Sequence, residues 1–125
     1  MNSREKESCQ HRLMVMGCDV EDAVRRLGND RDFYTHLFTT FIRERSWEDI
    51  SFAMENGDYE SAFESAHMLK GTAVTLGLTP LTDRISSLMN ELRSIRDERE
   101  GDYEEKAQIY YWDLMEMIDI LSRQV

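Results

Sequence analysis

A chain of 125 residues and 14.8 kDa is one domain's worth of polypeptide, long enough to bury a core without disulfides or metal. Its 15 Lys and Arg against 25 Asp and Glu give a formal net charge of -10, which excludes phosphate-directed binding of nucleic acid and attachment to an anionic membrane surface. Six Gly and one Pro are too few for a turn-rich protein or a Gly-rich nucleotide loop. Cys9 and Cys18 stand in no metal or redox spacing and fit a reducing compartment. The opening MNSREKESCQHR has no apolar signal core, and no run approaches 18 apolar residues, so the expected location is cytoplasmic.

In chain order, residues 1–16 read as a loose polar N-terminal arm, and 17–125 as a single helical domain. Asp19 can cap a short helix whose Val20, Ala23, Val24 and Leu27 share a face, with Gly28 as its stop. Asn29 or Asp30 can cap the next segment, where Phe33, Tyr34, Leu37, Phe38, Phe41 and Ile42 recur at steps of three and four. After the charged Arg43–Arg45, the residues Trp47, Ile50, Ala53 and Met54 continue that spacing. Asn56-Gly57-Asp58 reads as stop, turn and new cap, predicting a helix over 58–76 that Gly77 ends. Thr79-Pro80 reads as N-cap and first-turn proline of a helix carrying Leu81, Ile85, Leu88, Leu92 and Ile95. Gly101 then breaks the chain. Asp102 and Glu105 have capping-box spacing ahead of a last helix with Ala107, Tyr110, Leu114, Met117 and Leu121. No segment alternates with period two. The expected fold is all-α: an antiparallel up-and-down four-helix bundle with a short additional N-terminal helix.

The helix predicted over 58–76 holds an anomaly. At 100° per residue, Ala62, Ser65, Ala66, Leu69, Ala73 and Leu76 gather on one side, and His67 falls opposite them. Its neighbours on the outward face are Glu60, Phe63, Glu64, Lys70, Gly71 and Val74. Gly71 costs about 1 kcal/mol against alanine inside a helix. Phe63 and Val74 are apolar where a solvated helix carries charge. Together these features describe a docking surface around a reactive imidazole, with Gly71 clearing room beside it and Lys70 offering positive charge. Imidazole changes protonation near neutral pH, so a ring nitrogen lone pair is available as a nucleophile toward a phosphoryl group. A nearby ammonium offsets charge on the phosphoryl oxygens.

Other readings compete. Glu64-Ser65-Ala66-His67 is a Glu-x-x-His unit of the kind di-iron bundles use, but it is single and faces outward, so no metal site is expected. Cys9 and His11 are two potential ligands in the arm and do not make a zinc site. A self-contained histidine kinase lacks its phosphate-cradling loop and room for an ATP-binding domain, so the protein is expected to be no enzyme. The runner-up is a pure interaction bundle that docks a signalling partner without chemistry.

The run Ala66-His67-Met68-Leu69-Lys70-Gly71, with Leu76-Gly77-Leu78 and Leu81 after it, resembles the histidine-containing phosphotransfer (HPt) domain family. Upstream, Asp19–Gly28, Asp32-Phe33-Tyr34 and Leu37-Phe38 are similar to the family as well, so the likeness spans roughly 17–122. The resemblance implies that His67 accepts a phosphoryl group through Nε2 from one receiver-domain aspartate and passes it to another, in a multistep two-component phosphorelay. Lys70 would stabilise the phosphoryl group, Gly71 would give clearance, and Phe63, Glu64 and Val74 would help dock the receiver. The implied partners are a response-regulator receiver domain, a hybrid sensor histidine kinase, or both. No cofactor is implied for this chain, since Mg²⁺ would sit on the receiver. The position 22 residues after the histidine, often Glu in the family, is Met89, which favours a plain relay histidine over a kinase-activated one. Val74 and Thr75 stand where small residues and Asn are common.

Overall fold

The computed structural model describes residues 1–125 as seven helices and no strand. They are α1 (Ser3–Val15), α2 (Val20–Arg26), α3 (Arg31–Glu44), α4 (Glu48–Glu55), α5 (Tyr59–Thr75), α6 (Thr79–Arg96) and α7 (Tyr103–Ser122). Residues 56–58 and 76–78 are the only chain between α4 and α5 and between α5 and α6, and such short links force antiparallel neighbours. The start of α3 returns to the end of α5, where the buried Tyr34 hydroxyl donates to the Leu76 carbonyl at 2.6 Å. At the other side Ser51 Oγ of α4 lies 3.5 Å from Met115 Sδ of α7. The expected four rods are therefore the bent pair α3–α4, then α5, α6 and α7, with α2 as the short extra helix.

Three local expectations need correction. The segment 1–16 is not a loose arm. Asn2 caps it by accepting from Glu5 N–H at 2.9 Å, and Cys9, Gln10 and Leu13 of α1 are buried. Gln10 Nε2 donates to Thr35 Oγ1 at 2.7 Å and to the Arg31 carbonyl at 2.9 Å, so its amide group is satisfied inside. Arg12 donates to the Gln124 side chain and carbonyl at 2.9 and 2.8 Å, tying α1 to the end of α7. Second, the rod through 31–55 is broken at Arg45, which takes a left-handed φ of 53°. The bend seats Trp47 edge-on against Phe41, with ring centroids 5.6 Å apart, and lays the Arg45 guanidinium over the indole. Third, two caps differ. Leu78, without a side-chain bond, precedes α6, so Thr79 is already helical; the Asp102 carboxylate bonds no amide of α7 and faces Lys106 at 3.5 Å.

The core follows the apolar stripes. Ile50, Leu69, Ile85, Leu88, Leu92 and Leu114 are buried between the rods, each fully buried aliphatic side chain contributing about 1.5–3 kcal/mol. Both cysteines are buried and unpaired, and burial pushes the Cys18 thiol up to about 11, so it stays protonated at neutral pH. No helix is long and apolar enough to cross a membrane.

The turn after α5 sets the lower end of the site. Gly77 has φ +65°, and its carbonyl accepts from Asp19 N–H at 2.7 Å. A Cβ placed there would stand 2.3 Å from the Asp19 carbonyl oxygen. Two independent constraints thus exclude a side chain: a left-handed backbone and the close approach of the α2 entry.

Candidate functional site

Helix α5 is anchored at its start by Asp58. Its carboxylate accepts from Ser61 N–H at 3.1 Å and Ser61 Oγ–H at 2.7 Å, and these bonds hold the carboxyl below its usual range. Ala62, Ala66, Leu69 and Ala73 are its buried residues, and three alanines in four positions let α4 and α6 approach closely. The same 3.6-residue period that buries them turns His67 outward, and His67 is exposed. No side chain hydrogen-bonds its imidazole in the structure. Met89, 22 residues after His67, is buried in the core, and its thioether has no hydrogen-bond donor to offer the imidazole.

The outward face divides into two flanks. On the α6 side lie Phe63, Lys70 and Val74. Lys70 is half-buried, and its ammonium is in none of the ion pairs, all of which use other cations. Val74 is exposed, and its carbonyl accepts from Arg26 of α2 at 3.2 Å. Phe63 is not the open apolar contact that the sequence suggests. It is half-buried, with the Arg96 guanidinium 4.8 Å and the Arg93 guanidinium 5.6 Å from its ring centroid. On the other flank Glu60 and Glu64 are exposed beside the imidazole.

Gly71 lies in the middle of this face. Nothing comes within 4 Å of a Cβ built on it, and Thr75 Oγ donates to its carbonyl at 3.0 Å. Internal packing therefore gives no reason for glycine here, and the space it leaves is open to a second molecule. An expected result follows from that. Gly71→Ala should raise stability by about 1 kcal/mol, the ordinary helix-propensity difference. Gly71→Gln should also keep the fold yet slow any docking-dependent reaction at His67 by tenfold or more, on the order of a 1 Å misplacement of reacting groups. Thermal melts alongside single-turnover kinetics check both. A collapsed melt for either variant would make Gly71 a packing residue.

Sequence reasoning missed one wall of the site. A groove of about 600 Å³ runs between α3 and α5, lined by Leu37, Thr40 and Phe41 on one side and Met68, Gly71 and Thr72 on the other. Met68 is 75% exposed, a large apolar side chain presented to solvent next to His67. Its position off the buried stripe of α5 was the available signal. The α3 residues could be assigned only once folding had set α3 against α5.

The arrangement can present a nucleophilic nitrogen with a loose ammonium nearby and an apolar groove at its side. No group of three or more His, Cys, Asp or Glu side chains comes together in a form that could hold a metal ion, and Glu64 and His67 both face solvent. A family model described as Hpt domain matches residues 36–124. No curated protein and no solved structure matches the chain.

Proposed function

The chain belongs to the Hpt domain family, whose members carry phosphoryl groups on histidine in two-component signalling and are not kinases, and on that premise we propose that His67 relays a phosphoryl group between receiver-domain aspartates. The observation that carries the reading is the exposed His67 beside the vacant space at Gly71, with the unpaired Lys70 on the same face. An uncommitted imidazole with room for a second protein is what transfer requires, because the donor brings its own reactive group.

In the forward step the Nε2 lone pair of neutral His67 attacks the phosphorus of the receiver's aspartyl phosphate. The P–N bond forms as the P–O bond to the aspartate breaks, and the bonding pair leaves with the carboxylate. Nδ1 keeps its proton, so the phosphorylated ring is cationic until solvent removes it. The reverse sequence, with a second receiver's carboxylate as nucleophile, unloads the carrier. Lys70 offsets the charge on the phosphoryl oxygens. Gly71 and the groove at Met68 admit the receiver, with Glu64 and Val74 at the rim. Mg²⁺ belongs to the receiver in this reading, and no cofactor is assigned to this chain.

The test is incubation with a panel of phosphorylated receiver domains, followed by separation of the proteins. Label should move onto this chain from at least one receiver, and ATP alone should give none. Failure with every receiver would leave a helical interaction module that docks a partner without transfer. Strong labelling from ATP alone would contradict the carrier role.

A further inference from the structure

The two guanidiniums over Phe63 are not needed to close the core. Arg93 and Arg96 reach across from α6 and stack on a ring one turn before His67. A guanidinium held over a ring loses rotamer freedom, and both arginines remain exposed to solvent. Their other contacts are weak: Arg93 Nη1 is 3.5 Å from Asn90 Oδ1, and Arg96 Nε is 3.5 Å from an Asp97 carboxylate oxygen. A helical turn is ~5.4 Å long, so this charge lies about one turn along α5 from the imidazole, and Lys70 lies about one turn beyond it on the same flank. Three cations thus edge His67 on the α6 side, while Glu60 and Glu64 occupy the opposite flank.

That placement stands out in a chain of net charge -10. A phosphorylated donor is anionic at its reactive end, and a uniformly acidic carrier would repel it. At physiological ionic strength charges farther than ~8 Å apart are largely screened, so the approach is governed by the local edge rather than by the total. We propose that Arg93 and Arg96, held over Phe63, recognise the anionic surface around the phosphorylated aspartate of the partner receiver and set its encounter rate and orientation. The inference rests on the relay reading and adds a recognition element on α6 to it. The acidic flank of Glu60 and Glu64 disfavours the reversed orientation of the same partner.

The experiment measures the second-order rate of transfer to His67 from whichever receiver of the panel labels it. Arg93→Gln/Arg96→Gln is compared with Arg123→Glu at the far end of α7, which changes the net charge by the same amount. At low ionic strength the Gln pair should slow transfer on the order of tenfold, the Arg123 variant should stay within about twofold, and the difference should shrink as salt is raised. Arg93→Lys/Arg96→Lys should keep most of the rate because it keeps the charge. The proposal is overturned if the Gln pair transfers at the wild-type rate, if its defect persists undiminished in high salt, or if the Lys pair is as slow as the Gln pair. The last two results would assign the arginines to packing over Phe63. Absence of label on the wild-type chain from every receiver is a different outcome, and it removes the relay reading together with this inference.

Discussion

His67→Gln will carry no phosphoryl label from any receiver that labels the wild-type chain, and it will melt at the wild-type temperature. Glutamine is close to histidine in size and remains polar, but its amide nitrogen has no available lone pair, so the nucleophile is lost rather than weakened. His67 is exposed and makes no side-chain hydrogen bond, so the substitution removes no packing and no buried partner. Surface changes of this kind stay within about 0.5 kcal/mol. Transfer assays and melts on the same preparation separate the two effects. A labelled His67→Gln would mean that the phosphoryl group resides elsewhere, and a large drop in stability would mean that the imidazole has a structural task.

Gly77→Ala, in the turn that follows the site's helix, will be strongly destabilising for so small a substitution, at about 2–5 kcal/mol. The left-handed φ of +65° costs a residue with a Cβ roughly 1–2 kcal/mol. The new Cβ would also stand 2.3 Å from the Asp19 carbonyl oxygen, which is backbone and cannot rotate away. Overpacking of that kind adds about 1–3 kcal/mol. Gly57 supplies the control, since it has φ +66° but nothing within 4 Å of its Cβ position. Gly57→Ala should therefore lose only the backbone part. Denaturant unfolding of the two variants checks the difference, and equal losses would contradict the close approach between α2 and the α5–α6 turn.

The legible parts of this molecule were those where one segment carries its own instructions. In α5 the Asp58 cap, the alanine stripe and the Gly77 stop are all local, and they put His67, Glu64 and Gly71 outward before any tertiary contact is known. Helix α1 was illegible because its buried stripe is only Cys9, Gln10 and Leu13, one of them polar, within a charged run. Its order depends on Thr35 and Gln124, which are distant in sequence. The break at Arg45 was hidden for a related reason. A left-handed arginine has no sequence signature, and what compensates it is the seating of Trp47 on Phe41. At the site itself the wheel placed Phe63 on the outward face, where the sequence left it open. Arginines from another helix cover its ring. Likewise the groove beside Met68 exists only because α3 lies along α5.

The linkage that carries the phosphoryl group decides whether His67 is the relay residue, because this chain has three histidines, His11, His36 and His67, all exposed. After transfer from a labelled receiver, the product is split between acid and base, and the stable fraction is mapped by peptide mass. The expected label is lost in acid, survives base and sits on the peptide containing His67 alone. Acid-stable label on a hydroxyl, or base-stable label on His11 or His36, would contradict it.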